Sequence, residues 1–356
     1  MKLPSFFTRQ PFNYFWVVGA LLAIGVLGLS KSSAAIDLSP KRVVTLVEAE
    51  VTLRQLREYP HHSSEAHLGY LNKPTLSERL YEMPKFVLDT IMAWDQLTYK
   101  AEAWTPKRIE NMRLALSQLP PKLREVLEQH LQGIYLVSSN FKGTGMCEFT
   151  LDEKLKLSNF MIFNVAAFDK SLDELLSYKV ATNFIKDDQH CSRITTGTSM
   201  TGLYGILLHE SMHVIDYQDV VNSYVDVGHR FWVVYRQIKP SYGPWWKLYQ
   251  QELPLSFRSN IAFYGLNNGP KMKSSDMLSN YRELSQYPFA SLYGAEKAIE
   301  DWAELGLFYD IIHAEGSDYK EEILDGDKVV FTWRPQDHPA LKERLKDVSK
   351  WLERNP

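Results

Sequence analysis

The segment "GLYGILLHESMHVIDY", residues 202–217, constrains the fold of this chain more than any other stretch. Apolar residues lie on most sides of it, which predicts a largely buried helix from about Ser199 to Asp219. The same helix carries His209, Glu210 and His213. Burying such groups without partners costs several kcal/mol, so pairing or metal ligation is the usual resolution.

The spacing of these three residues is that of His-Glu-x-x-His. Residues four apart lie on one helix face, so His209 and His213 can direct both imidazoles at a single metal ion. Glu210 reaches the same side and could accept a proton from a metal-activated water. Imidazole ligands favour zinc as the cofactor. The alternative is a core helix whose histidines are satisfied by neighbouring polar groups.

A catalytic zinc site needs a third protein ligand, and three candidates remain open from the residues alone. Asp219 follows the motif on the same helix, and His229 lies in a looser context. Glu300 lies in "YGAEKAIEDWAELG", residues 293–306, one helical turn before Glu304. A carboxylate here could complete the ligand set while its neighbour orients a histidine. An ordinary solvated acidic face is the competing interpretation.

The pair "HESMH" and "EDWAE" resembles the gluzincin class of zinc metallopeptidases. Tyr293 lies seven residues before Glu300, and this spacing is similar to that in the subgroup that includes anthrax lethal factor. The resemblance covers about residues 200–310. It implies a zincin-like catalytic domain in which the zinc ligands are His209, His213 and Glu300.

The resemblance also implies roles for four neighbouring residues. Glu210 would be the general base, and Tyr293 would stabilise the oxyanion of the tetrahedral intermediate. Glu304 and Asp216 would support the ligands by hydrogen bonds. The expected activity is zinc-dependent hydrolysis of peptide bonds in a protein or peptide substrate.

Charge and composition exclude one class of partner. The formal charge is −3, from 40 basic and 43 acidic residues, which supplies no positive surface for a nucleic-acid backbone. An apolar content of 45% is ample for a sizeable core. We therefore expect a globular protein that does not bind nucleic acid.

The N-terminus predicts export. Lys2 and Arg9 precede an almost unbroken apolar run over residues 12–29, and small residues follow up to Ala35. Residues 1–35 are thus a signal peptide, or a membrane anchor if the apolar run stays in the bilayer. A buried soluble helix fits poorly, because nothing polar interrupts the run. The expected location is periplasmic or secreted, with membrane attachment as the alternative.

Export also bears on the two cysteines, Cys147 and Cys191. An oxidising compartment would permit them to form a disulfide, and two unrelated thiols are the alternative. No second cysteine lies within the short spacing that zinc-binding pairs use, so a cysteine metal site is disfavoured.

The chain as a whole predicts an α+β, mostly helical fold. Residues 36–132 predict a helical N-terminal region, and residues 133–356 predict the zincin-like domain with a small sheet. The predicted elements of that domain are strands at 133–139 and 159–168, helices at 171–179, 199–219 and 295–313, a polar loop at 187–198 and a mixed segment at 222–290. Thr198 or Ser199 is the expected cap of the motif helix. By analogy with the family, the strand at 159–168 could bind an extended substrate at the sheet edge.

Two other functions remain open. One is an exported, non-catalytic binding or assembly factor with a structural zinc site. The other is a zinc amidase that acts on cell-wall peptides. Glu210 favours an enzyme over the first alternative, because a structural site has no use for an acid beside its ligands. The sequence does not separate a peptidase from an amidase.

Overall fold

The computed structural model describes residues 53–70, 75–219 and 255–353. The predicted signal or anchor at residues 1–35 and the ligand candidate His229 lie outside these ranges. No helix within them is both long and apolar enough to cross a membrane.

The fold is α+β and mostly helical, as predicted. The helices are α1 (Lys85–Asp95), α2 (Pro106–Gln118), α3 (Pro121–His130), α4 (Leu172–Ala181), α5 (Gly202–Asp219), α6 (Met277–Leu284), α7 (Ala298–His313) and α8 (Pro339–Leu352). The strands are β1 (Leu131–Val137), β2 (Gly145–Leu151), β3 (Leu157–Asn164), β4 (Phe184–Ile185), β5 (His190–Thr195), β6 (Met272–Lys273), β7 (Lys320–Asp325) and β8 (Lys328–Trp333).

The strands form three small sheets. In the first, β3 is central, parallel to β1 and antiparallel to β2. In the second, β7 is central between antiparallel β5 and β8, while β4 and β6 form a short parallel pair. The predicted strands at 133–139 and 159–168 correspond to β1 and β3, each beginning two residues earlier than expected.

The prediction of a loop at 187–198 is wrong, because His190–Thr195 forms β5. This strand is at a sheet edge, and its side chains are polar apart from Cys191 and Ile194. A half-exposed edge strand needs few apolar residues, so its composition is the same as that of a loop.

The predicted helices of the N-terminal region are present as α1, α2 and α3, and residues 53–57 are also helical. The helix expected from Leu76 begins only at Lys85, and residues 60–62, 64–70 and 76–78 form short 3₁₀ turns. The predicted boundary at residue 132 lies inside β1. Core residues before it, such as Met112 and Leu123, belong to the same apolar cluster as Leu207 and Met212 of α5. The described N-terminal helices therefore help to support the motif helix.

Helix α5 starts three residues later than predicted. The hydroxyl of Thr201, not that of Thr198 or Ser199, accepts a hydrogen bond from the Tyr204 N–H at 3.1 Å. A side-chain acceptor at this point satisfies one of the free N–H groups of the first turn.

Helices α5 and α7 lie close together. A Cβ atom added at Gly306 would be 2.4 Å from Cγ of Met212, so only glycine fits at that position of α7. The indole N–H of Trp302 donates a hydrogen bond to the Met212 carbonyl at 3.0 Å. These contacts hold the His-Glu-x-x-His face of one helix against the Glu300 turn of the other.

Cys147 and Cys191 are both free, which corresponds to the alternative of two unrelated thiols. Cys147 is buried on β2 and Cys191 is exposed on β5, a strand of a different sheet.

A buried carboxyl on β7 predicts a pH dependence of stability. Glu321 is 0% exposed and accepts a hydrogen bond from the Tyr281 hydroxyl. Burial is the main cause that raises its pKa from 4.5 to about 8. The folded protein therefore keeps this proton while the unfolded chain loses it above pH 4.5. The free energy of unfolding should fall by several kcal/mol as pH rises through this window.

Glu321→Gln removes the titrating group while keeping a side chain of similar shape. Urea unfolding at several pH values should show a flatter curve between pH 4.5 and 8 for this variant than for the parent. Parallel curves for the two proteins would contradict the assignment.

Candidate metal centre

Three of the predicted residues meet at one point between α5 and α7. The Nε2 atoms of His209 and His213 are 3.2 Å apart. Oε2 of Glu300 lies 3.2 Å from the first of these and 3.6 Å from the second. All three residues are buried, each 7% exposed. The group could bind a metal ion.

The triangle has the dimensions that a tetrahedral metal ion requires. Zinc bound at about 2.0–2.2 Å from each ligand places neighbouring ligand atoms about 3.3 Å apart. The observed separations of 3.2, 3.2 and 3.6 Å match this value. Both histidines face the point through Nε2, and three protein ligands leave a fourth position for water or substrate. The residues present therefore fit a metal ion of this geometry.

The charges of the ligands are also suited to a cation. Burial opposes ionisation of Glu300, but Lys297 and both histidines hold the pKa of this carboxyl well below its usual range. Burial lowers the pKa of His209, but its contacts with Glu300 and Glu304 outweigh burial and raise the pKa to about 9. The acids around His209 thus favour a positive charge at this point, which is a proton on the imidazole until a metal ion replaces it.

Glu304 contacts the outer nitrogen of His209, as expected. Its Oε1 atom lies 2.8 Å from Nδ1 of His209, which directs Nε2 of that ring at the metal position. Such outer partners fix the orientation and raise the basicity of a ligating histidine. Asp216, the other residue expected to support a ligand, is also buried.

Glu210 lies beside the triangle, in a cleft of about 160 Å³. Its carboxylate makes no hydrogen bond or ion pair with a described residue, so both oxygens are available to a small molecule in the cleft. Burial raises the pKa of Glu210, although the two ligand histidines oppose this. A carboxyl whose pKa is moved upward is better matched to proton transfer near neutral pH.

Tyr293 also lines the cleft. Its ring lies nearly parallel to that of His209, with 5.8 Å between the centroids and 27° between the planes. Burial raises the pKa of the Tyr293 phenol well above its usual range, so the hydroxyl stays a donor. The prediction that this tyrosine lies near the ligands is consistent with its position.

The opposite wall of the cleft is the start of β2, which sequence reasoning missed. A Cβ atom at Gly145 would be 2.9 Å from Oε1 of Glu210, so the bare backbone of this strand approaches the general-base candidate. No motif marks "GTGMCEFTL", and its only signal is glycine before an aromatic and β-branched run.

The expectation that residues 159–168 offer a free sheet edge is wrong. This stretch begins inside β3, which has neighbours on both sides. The edge strand beside the cleft is β2. At the end of β2 away from the cleft, Ser63 bridges to Leu151 and the His62 ring contacts the Phe149 carbonyl.

Lys179 and Ser291 complete the surroundings of Glu304 and were also missed. The ammonium of Lys179 and the hydroxyl of Ser291 each lie 2.6 Å from a Glu304 oxygen. Lys179 is far from the motifs in sequence, and a single lysine within the apolar face of α4 has no distinguishing pattern. Ser291 lies two residues before Tyr293, but nothing in the sequence marks it. Of the three ligand candidates, Glu300 is brought to the histidines, while nothing is described for the side chain of Asp219 or for His229.

Comparison with known proteins found no family model, no curated protein and no solved structure that matches this chain.

Proposed function

We propose that this protein is an exported zinc metallopeptidase of the gluzincin type, with a zincin-like catalytic domain. The observation that carries the proposal is the buried triangle of His209, His213 and Glu300. Glu210 lies beside it in a cleft, with no hydrogen bond or ion pair to a described residue. The ligand atoms have the separations of a tetrahedral zinc site, and a free position remains for the reacting groups. Export rests on the signal-like residues 1–35, with periplasmic, secreted and membrane-anchored states all compatible with it.

A bound zinc ion would lower the pKa of a water molecule and polarise the scissile carbonyl. Glu210 accepts the proton of the attacking water, and then delivers it to the nitrogen of the leaving amine. The Tyr293 hydroxyl donates a hydrogen bond to the oxygen on which negative charge develops. Glu304 keeps His209 in the orientation that presents Nε2 to the metal.

The substrate proposed is a peptide in extended conformation. The cleft is lined by residues of β2, which is an edge strand of its sheet among the described residues, so an extended chain could pair with it near Gly145. Gly145 lets the backbone of β2 itself come close to the catalytic carboxylate, because a Cβ atom there would lie 2.9 Å from Oε1 of Glu210. Protein substrates and free peptides would both bind in this way.

Two alternatives use the same residues. A zinc amidase on cell-wall peptides would break a chemically similar bond, so only the substrate separates it from the peptidase. A non-catalytic assembly factor would use the metal for stability alone. Glu210 argues against the assembly factor, because a buried carboxylate with no partner among the described residues costs stability and would have no structural benefit.

Glu210→Gln tests the proposed mechanism. The variant should bind zinc as the parent does, because Glu210 is not among the ligand atoms, while hydrolysis should fall by about 10²–10⁴-fold or more. Zinc content and cleavage of a mixed peptide library, followed by mass spectrometry, measure the two quantities. Glu343→Gln, an exposed carboxylate on α8, is the matched control and should behave as the parent.

Equal turnover of parent and Glu210→Gln on any substrate would refute the role of this residue as general base. Cleavage of cell-wall peptides alone, with no cleavage of the library, would favour the amidase. Stoichiometric zinc without hydrolysis of either substrate would favour the assembly factor.

A further inference from the structure

Lys179 is a buried lysine in the apolar face of α4. Its neighbours Leu175, Leu176 and Val180 all belong to the main core, and Lys179 itself is 8% exposed. Lysine is almost never buried unless it is paired, because an ammonium group loses its hydration there. An apolar residue at this position would fit the core at lower cost, so the lysine requires an explanation beyond folding.

The ammonium group contacts the carboxylate that orients a metal ligand. Nζ of Lys179 lies 2.6 Å from Oε1 of Glu304, and the same oxygen lies 2.8 Å from Nδ1 of His209. The hydroxyl of Ser291 donates to the other oxygen, Oε2, at 2.6 Å. Three groups from three segments thus hold one carboxylate, which leaves Glu304 little freedom to rotate away from His209.

The same ammonium contacts the aromatic ring on the other side of the site. Nζ of Lys179 lies 4.4 Å from the ring centroid of Tyr293, which is a favourable cation–π distance. The Tyr293 ring in turn stacks on His209. One buried cation therefore contacts both groups that flank this metal ligand.

We propose that Lys179 is a positioning residue of the metal centre, which fixes the orientation of His209 through Glu304 and the placement of Tyr293 through its ring. This inference rests on the proposed metal site and assigns it a further residue on a third helix. Lys179 does not touch the metal position. It acts through the carboxylate and the ring that do contact the ligand.

The test compares Lys179→Met with Lys179→Arg in the full-length protein. Zinc affinity is measured by competition with a chelator, and the absorption spectrum of the cobalt-substituted protein reports the ligand geometry. We expect Lys179→Met to bind zinc about 10–100-fold more weakly and to alter the cobalt spectrum, as loss of an outer ligand partner does. Lys179→Arg should recover part of the affinity, because it keeps the cation. Lys170→Met, which removes a half-buried lysine over the ring of Tyr178, should leave both readouts unchanged.

The direction in which zinc affinity changes in Lys179→Met distinguishes a positioning role from simple charge repulsion between Lys179 and the metal ion. Removing a cation near the site would by itself favour a bound dication, so unchanged or tighter zinc binding by Lys179→Met would overturn the proposal. Urea unfolding in the presence of a chelator measures the stability of the fold separately. A loss of stability with an unchanged zinc affinity would make Lys179 a structural residue only.

A double-variant cycle tests whether the lysine acts through Glu304. In a Glu304→Gln background, Lys179→Met should cause little further loss of zinc affinity. Fully additive losses would contradict the proposal that Lys179 acts through Glu304. Failure of the parent to bind zinc or cobalt would overturn both this proposal and the metal site. If metal binding depends on Lys179 but no hydrolysis is found, the positioning role of Lys179 stands and only the proposed peptidase activity is overturned.

Discussion

Replacing either His213 or Glu300 by alanine is expected to remove the metal from this protein. The parent, supplied with zinc and freed of excess, should carry about one zinc ion per chain, since one triangle of suitable ligand atoms is described. Each variant leaves two ligands of the three, and its affinity should fall by more than the roughly 100-fold that loss of an outer partner causes. Elemental mass spectrometry on the full-length protein, with a chelator competition for affinity, measures this.

Matched controls make the result specific. His190→Ala removes a histidine on β5 that contacts Asp187, so its zinc content should equal that of the parent. Zinc lost with His213→Ala but kept with Glu300→Ala would move the third ligand to Asp219 or His229. If the parent binds no zinc, α5 is a core helix whose histidines contribute to packing alone.

A second large effect is expected at the helix that supports Glu300. Arg344 on α8 donates hydrogen bonds to the Asp301 carboxylate and to the Pro288 carbonyl. Arg344 is 3% exposed and Asp301 is 1% exposed. Arg344→Met would remove this cation from the buried Asp301 carboxylate, so the free energy of unfolding should fall by about 3–5 kcal/mol. Urea unfolding monitored by tryptophan fluorescence measures the change.

The double variant Arg344→Met/Asp301→Asn is the informative control. Because it removes both charges, it should be more stable than Arg344→Met alone, although it loses the same ion pair. An equal or larger loss in the double variant would mean that packing of the arginine, not its charge, stabilises the contact between α7 and α8. Asp301 directly follows Glu300, so zinc affinity should be measured on the same samples.

The motif helix shows what the sequence could predict. The apolar surroundings of His209, Glu210 and His213 predicted a buried helix, and α5 carries all three on one buried element. The turn from Glu300 to Glu304 predicted a second helix with two carboxylates on one face, and α7 has them there. These predictions succeed because helical periodicity and the cost of buried charge are local properties of a sequence.

Elements whose sequences lack such a local signal were missed. The edge strand β5 is made mainly of polar residues, and β2 begins with glycine, so neither has a clear apolar alternation. The sequence also left open whether Cys147 pairs with Cys191, and both thiols are free in the structure. A strand is defined by its partner, which is distant in sequence.

The sequence by itself therefore determined the α+β class, the motif helix and the candidate carboxylates. Only the tertiary structure decided that Glu300 meets the two histidines, with separations of 3.2 and 3.6 Å. It also brought Lys179 and Ser291 to Glu304 and the backbone of Gly145 to Glu210. The physical reason is that local patterns fix which face of a helix is buried. Which faces then pack together depends on contacts between distant segments, such as Gly306 against Met212, that periodicity does not encode.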